Sequence, residues 1–144
     1  MKVSPLTWHS LRVDDVPVAI KWLSQMQIEA LINQEVPPPH GNRQGLSYGQ
    51  LAVLLLSYMI TQADHRLCAV ETWVKQHHQT LELATGWKIA DKDATDDRLA
   101  DLLSVLGGAE HQATEAIETL LLSRCHDWAS SSIFKGLGIE SANS

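Results

Sequence analysis

The stretch from Ser47 to Gln62 reads SYGQLAVLLLSYMITQ, and it decides the fold that this sequence predicts. Ser47 and Gln50 have the spacing of a capping box, in which the serine oxygen accepts a backbone N–H and the glutamine side chain returns to the cap. Apolar residues then run without a break from Leu51 to Leu56. A helix that is apolar on nearly every side must be buried on nearly every side, so we expect this stretch to be the central helix of the core.

Shorter segments on both sides of this stretch predict further helices. Pro17 after two aspartates indicates a helix start, and a break is expected near Gln25–Met26 before a second short helix. Other helices are predicted from apolar residues at helical spacing, namely Leu67 to Val74, Leu81 with Leu83, Leu99 to Leu106, and Ala109 to Arg124. We therefore predict an all-α, single-domain bundle of six or seven short helices around residues 47–62, with residues 1–124 as the helical domain and 125–144 as a loose tail.

Composition and charge limit the possible classes of function. The chain has 144 residues, which favours one domain that is large enough to bury a core. Its formal net charge of -6, from 11 Lys and Arg against 17 Asp and Glu, disfavours a protein that binds nucleic acid over its whole surface but permits a local basic face. The two cysteines lack a Cys-x-x-Cys partner, and the first residues contain no apolar signal core, so we expect a cytoplasmic protein that does not enter a membrane.

No pattern of catalytic, metal-binding or cofactor-binding residues stands out. Asp91 and Asp93 fit the first two ligand positions of a calcium loop, but Asp96 stands where that loop needs glycine. Capping explains this segment better. Asp93 or Thr95 is expected to cap the following helix, Asp96 and Asp97 to place negative charge in its first turn, and Arg98 to pair with Asp101. The seven histidines form no His-x-x-x-His pair, and no phosphate-binding glycine loop occurs. We predict no catalytic residue, metal, cofactor or small-molecule ligand.

Three basic residues that flank the central helix are candidates for contact with nucleic acid. Arg43 lies in the proline- and glycine-rich loop before that helix, Arg66 lies in the polar turn after it, and Lys75 lies at the end of the next helix. A helix, a polar turn and a second helix form the outline of a helix-turn-helix motif, although any helical bundle offers similar outlines. The simpler interpretation is that the loop and the turn are solvated connectors.

Several segments, taken in their order along the chain, resemble a known family. They are Asp15–Ala19 (DVPVA), His40-Gly41, Leu46–Gln50 (LSYGQ), Arg66-Leu67, Val70 with Trp73, Thr95–Leu99 (TDDRL), Leu102-Leu103 and Leu106-Gly107. Over about residues 11–122 the chain is similar to the N-terminal helical domain of large bacterial insertion-sequence transposases, the sixteen-thirty-four group of the insertion-sequence-four superfamily. Tyr48 and Gln50 replace a histidine and an acidic residue of that family's pattern, so no role of the histidine is carried over.

The resemblance implies a function without catalysis. Family members continue into an RNase H-like domain with three metal-binding carboxylates, the first of them in an Asp-Thr-Thr-like strand. Here residues 124–129 read RCHDWA, and Asp127 lacks that strand context. We therefore expect a transposase N-terminal domain, from a truncated, frameshifted or split gene, that binds transposon-end DNA through Arg43, Arg66 and Lys75 or assembles with itself or a full-length transposase. The alternative is a helical protein–protein module that dimerises without touching DNA.

Overall fold

The structure is a computed structural model that describes residues 15–39, 41, 44–108 and 111–136. Within these ranges the chain forms no strand and seven helices, which are α1 (Val16–Gln25), α2 (Ile28–Glu35), α3 (Tyr48–Gln62), α4 (Leu67–Gln76), α5 (His78–Thr85), α6 (Asp96–Gly108) and α7 (His111–Gly136). The prediction of a small all-α bundle is confirmed. Arg43 and the N-terminal residues 1–14 lie outside the described residues, so the expectations for them stay predictions.

The central position of α3 follows from its composition. Nine of its 15 residues are buried, and Leu54 at its middle is fully buried. Helices α1, α2, α4 and α6 all pack against it. The predicted capping box is present, because Ser47 Oγ accepts the Gln50 backbone N–H at 3.2 Å and Gln50 Oε1 accepts the Ser47 backbone N–H at 2.9 Å. The prediction of a buried central helix is therefore confirmed.

Helix α2 crosses the start of α3 at close range because position 49 has no side chain. A Cβ atom placed on Gly49 would lie 2.3 Å from the carbonyl oxygen of Glu29. The Gly49 backbone N–H donates to Asn33 Oδ1 at 2.8 Å, and Asn33 Nδ2 donates to Ser47 Oγ at 3.1 Å. The amide of Asn33 thus ties α2 to the cap of the central helix.

Helices α1 and α2 are separated by a two-residue break, close to the predicted position. Gln27 in this break has a φ of 55°, a left-handed conformation that is uncommon outside glycine. Arg124 of α7 donates from Nη1 to the Met26 carbonyl oxygen at 3.2 Å and to Gln27 Oε1 at 2.7 Å. The last helix is therefore fastened to the break between the first two.

The end of α7 differs from the sequence-based expectation of a loose tail from residue 125. The helix continues without interruption to Gly136, and residues 137–144 lie outside the described part. Residues 125–135 contain neither proline nor glycine, so nothing in this segment terminates a helix. The apolar periodicity does fail after Arg124, and the side chains of His126 and Asp127 are 81% and 77% exposed. The side chains of Cys125, His126 and Asp127, at the start of this segment, are exposed.

Two leucines in the predicted helices are exposed. In α5 only Leu81 is buried, whereas Leu83 is 87% exposed. Positions two residues apart point to different sides of a helix, so both leucines of this short helix cannot reach the same core. In α6, Leu99 and Leu102 are buried and Leu103 is 41% exposed, because it lies about 100° around the helix from Leu102.

Candidate functional site: the α3–α4 corner and a pocket beside α2

A single carboxylate holds the corner between α3 and α4. Ala63 ends α3 in the left-handed conformation, with a φ of 50° and a ψ of 37°. Asp64 accepts a hydrogen bond from the Tyr58 hydroxyl, from the Arg66 backbone N–H at 3.2 Å and from Arg66 Nε at 3.1 Å. Arg66 Nη2 also lies 3.0 Å from Asp64 Oδ2. Helix, turn and second helix follow one another as the sequence predicted.

These contacts fix the charges of the corner. Burial and the hydrogen bond to Asp64 raise the pKa of Tyr58 to about 12. Hydrogen bonds from Arg66 and Tyr58 hold the pKa of Asp64 well below its ordinary value, and the hydrogen bond to Asp64 raises the pKa of Arg66. At neutral pH the corner therefore carries an ionised Asp64 beside a protonated Arg66, and the arginine charge is already matched by a partner.

A row of rings supports this corner from inside the bundle. The Tyr58 and Trp73 rings meet edge to face with their centroids 5.6 Å apart, and the His77 ring lies 5.0 Å from that of Trp73. His77 Nδ1 is 2.9 Å from the Trp73 carbonyl oxygen. Among the described residues, the buried Trp73 Nε1 has no hydrogen-bond partner. The rings hold α4 against α3 and are part of the core.

Arg66 and Lys75 are both exposed, but the structure does not bring them together. Their side chains are 72% and 50% exposed. Lys75 lies nine residues after Arg66, which corresponds to about 180° around the axis of an α-helix and about 13.5 Å along it. Lys75 Nζ donates to Glu71 Oε1 at 2.6 Å, and this hydrogen bond raises the pKa of Lys75. The two candidate DNA contacts therefore sit on different sides of α4, each beside an acidic residue.

The loop that should carry Arg43 is described only in part, and its last residues are firmly held. Arg98 Nη2 donates to the Gln44 carbonyl oxygen at 2.9 Å, and Arg98 Nη1 donates to Asp93 Oδ1 at 2.5 Å. The Leu46 backbone N–H reaches the same Asp93 oxygen at 3.4 Å. The described end of the loop before α3 is thus bonded to Asp93 in the loop before α6 and to Arg98.

This arrangement corrects two expectations for the acidic loop. Arg98 reaches back to Asp93 and not forward to Asp101, whose carboxylate accepts the Tyr48 hydroxyl at 2.7 Å. Asp93 is buried, and its other oxygen accepts the Ala90 backbone N–H at 2.8 Å, so it pairs with nearby donors and does not cap α6. Burial explains why Arg98 pairs with Asp93 and not with Asp101, because a buried carboxylate needs a charged partner more than an exposed one does. The predicted negative charges in the first turn of α6 are present.

A pocket that the sequence did not predict opens between α1, α2 and the end of α5. Its volume is about 580 Å³. It is lined by Ile20, Ser24, Gln27, Glu29, Ala30, Asn33, Val53, Ala84, Thr85 and Trp87. Glu29 is the one ionisable side chain in this lining, and burial raises its pKa. The lining residues come from five separate segments of the chain and form no sequence motif, so no local sequence pattern predicts the pocket.

Within the described ranges, no three or more His, Cys, Asp or Glu side chains lie close enough together to hold a metal ion. None of the helices in this part of the chain has the length and apolar character needed to span a lipid bilayer. Comparisons with protein-family models, with well-characterised proteins and with solved structures gave no match.

Proposed function

We propose that this chain is a non-catalytic domain of an insertion-sequence transposase that binds transposon-end DNA at the α3–α4 corner. The observation that carries the proposal is that segments which resemble the family meet in the fold. Arg98, from the TDDRL segment, is bonded to Asp93 and to the Gln44 carbonyl oxygen immediately before the LSYGQ segment. Arg98, from one of the segments that resemble the family, thus helps to position the start of the central helix, and this contact supports the proposal.

The corner is the part of the described surface with the outline of a DNA-binding motif. Arg66 is 72% exposed at the turn, and Thr72 and Gln76 of α4 are also exposed. Both basic candidates are paired with acids, so a phosphate has to displace or share a carboxylate to gain contact. We therefore expect weak binding to DNA of arbitrary sequence, with a strong dependence on salt.

A charge-reversal series tests this proposal. The parent protein and an Arg66→Glu/Lys75→Glu variant are titrated with a duplex carrying the terminal repeat of the element and with a scrambled duplex, over a range of salt concentrations. Each lost phosphate contact lowers the slope of log K against log salt by about 0.9, so loss of the Arg66 contact should lower the slope by about 0.9, and the double variant reaches about 1.8 only where DNA also contacts the far side of α4. Lys21→Glu on the exposed face of α1 is the charge-matched control for the single variant Arg66→Glu. Equal binding by parent and double variant would exclude the corner as the DNA-contact surface.

A second candidate function, assembly with another protein chain, is favoured by a different observation. Val18 and Trp22 are 45% and 44% exposed on α1 and lie four residues apart, so they are neighbours on its outer surface. The net charge of -6 also suits a protein partner better than DNA. Light scattering during a DNA titration separates the two functions. A stable dimer that is indifferent to DNA and is weakened by Trp22→Ser supports assembly.

A further inference from the structure

We propose that the pocket beside α2 binds a small organic cation, which is an apolar body with one ammonium, amidinium or guanidinium group, and that Glu29 is its ionic partner. The proposal goes beyond DNA binding and assembly, and neither function requires it.

The shape and lining of the pocket suit a small molecule. Its volume of about 580 Å³ lies inside the range of about 300–1,000 Å³ that is usual for small-molecule sites. Ile20 and Val53 are buried and supply an apolar floor, and Ala30 and Ala84 on the exposed side leave room because their side chains are short. Trp87 is half-buried and adds an aromatic ring to the wall. An apolar ligand body would therefore replace water against apolar surface.

Three polar side chains of the lining already have hydrogen-bond partners, whereas its one carboxylate has none among the described residues. The Asn33 amide is already bonded to Ser47 and Gly49, and Gln27 Oε1 accepts from Arg124. Thr85 Oγ1 donates to the Leu81 carbonyl oxygen at 2.7 Å. No hydrogen bond or ion pair connects the Glu29 carboxylate to another described residue. A donor on a ligand would therefore meet this carboxylate before any other strong acceptor of the lining.

The environment of Glu29 favours a ligand with a positive charge. Glu29 lies in the first turn of α2, where the helix dipole favours a carboxylate, yet burial raises its pKa, so loss of solvation outweighs the dipole. A cation restores the interactions that the carboxylate has lost to burial, and charge-assisted hydrogen bonds are stronger than neutral ones. The Trp87 ring adds attraction for a cation. The lining contains no basic side chain, so an anionic ligand would face Glu29 without compensation.

Three isosteric probes test the inference on the full chain by isothermal titration calorimetry near neutral pH. They are benzamidine, which is cationic, benzamide, which is neutral, and benzoate, which is anionic. Benzamidine should bind at millimolar or lower concentration, benzamide should bind about tenfold or more weakly, and benzoate should give no heat. Glu29→Gln should weaken benzamidine about tenfold and leave benzamide unchanged. Ala84→Trp, which fills the pocket from its exposed side, should abolish binding of both.

Glu35→Gln is the matched control, because it removes the same charge from the same helix outside the pocket, and circular dichroism confirms that each variant is folded. Equal affinity for benzamidine and benzamide would overturn the proposal, as would unchanged benzamidine binding by Glu29→Gln or by Ala84→Trp. Absence of benzamidine heat at millimolar concentration in the parent would also overturn it. These outcomes are independent of DNA binding, which the corner variants Arg66→Glu and Lys75→Glu report separately.

Discussion

The Arg98 guanidinium lies 2.5 Å from the Asp93 carboxylate and joins two loops that are far apart in sequence. The two side chains are only 19% and 4% exposed. Through this pair the loop before α6 holds the Gln44 carbonyl oxygen and the Leu46 backbone N–H immediately before the central helix. A buried ion pair contributes little net stability compared with apolar residues, but removal of one partner leaves an uncompensated buried charge.

Arg98→Met should therefore lower the free energy of unfolding by about 3 kcal/mol, because Asp93 stays buried without its cation. Urea denaturation measures the loss, and Asp93→Leu in the same chain should recover part of it. Arg66→Met, which breaks an exposed pair, is the control and should change stability much less. An equal decrease in the free energy of unfolding for Arg98→Met and Arg66→Met would show that burial of the Arg98–Asp93 pair does not affect stability.

Gly49→Ala should destabilise the protein by about 1–3 kcal/mol, the usual range for overpacking. The added methyl would stand 2.3 Å from the Glu29 carbonyl oxygen, which belongs to the backbone and cannot rotate away. Gly107→Ala in α6 is the control, because nothing lies within 4 Å of its Cβ position, and it should gain about 0.5–1 kcal/mol from helix propensity. Thermal or urea unfolding of both variants should show shifts of opposite sign, and a stable Gly49→Ala protein would contradict the close crossing of α2 and α3.

Ala63→Gly should stabilise the protein by about 0.5–1 kcal/mol. Ala63 has a φ of 50°, where a Cβ atom costs about 1–2 kcal/mol, and glycine removes that strain while losing some chain entropy. The residue is exposed, so the substitution removes no core contact. A lower midpoint in urea for Ala63→Gly than for the parent would show that the left-handed end of α3 is not strained.

Tyr58 should make the stability of the protein depend on alkaline pH. Its pKa is raised to about 12, whereas tyrosine in an unfolded chain ionises near about 10. Its contribution is therefore fully present below about pH 10 and is lost as the pH rises toward about 12, because the unfolded state releases its proton first. Urea unfolding of the parent and of Tyr58→Phe should show a difference that shrinks over this interval. A difference that does not change with pH would mean that neither burial nor the hydrogen bond to Asp64 raises the pKa of Tyr58 in the folded protein.

The contribution of Glu29 to the free energy of unfolding should change with pH in the acidic range. Burial raises its pKa, so its favourable contribution is present below the unfolded value of about 4.3 and is lost as the pH rises through the folded value. Glu29→Gln should consequently be more stable than the parent at neutral pH and no more stable at a pH below about 4. Thermal unfolding at both pH values measures this, with Glu35→Gln as the charge-matched control. A neutral-pH gain that persists unchanged in acid would have another cause.

Local patterns predicted the elements of this fold well and the contacts between distant segments poorly. The capping box at Ser47 and the apolar run behind it are contiguous, so the central helix was predicted correctly. Leu81 and Leu83 were predicted to lie in one short helix, but the sequence did not show that only Leu81 reaches the core, which depends on how that helix is turned. The Asp93–Arg98 pair was missed because the neighbouring Asp101 offered a closer match to helical spacing, and the reason for the actual choice is burial, which only the folded chain defines.

The local features of the candidate site were also predictable from the sequence, whereas its contacts between distant residues were not. The exposure of Arg66 followed from its place in a polar turn, but its pairing with Asp64 depends on the left-handed residue that closes α3 and on the Tyr58 hydroxyl behind it. The pocket had no sequence signal, since its lining is assembled from five segments and its single carboxylate looks like an ordinary first-turn residue of α2.

The attachment of α7 through Arg124 sets an angular register for everything beyond it. Each residue of an α-helix advances the chain by about 1.5 Å and turns it by about 100°. Deleting one residue between Arg124 and Gly136 would therefore swing the far end of the rod by more than a quarter of a revolution, whereas adding seven would return it to within about 20° of its original azimuth. The number of residues in α7 after Arg124 therefore sets both the distance and the direction at which the helix reaches Gly136.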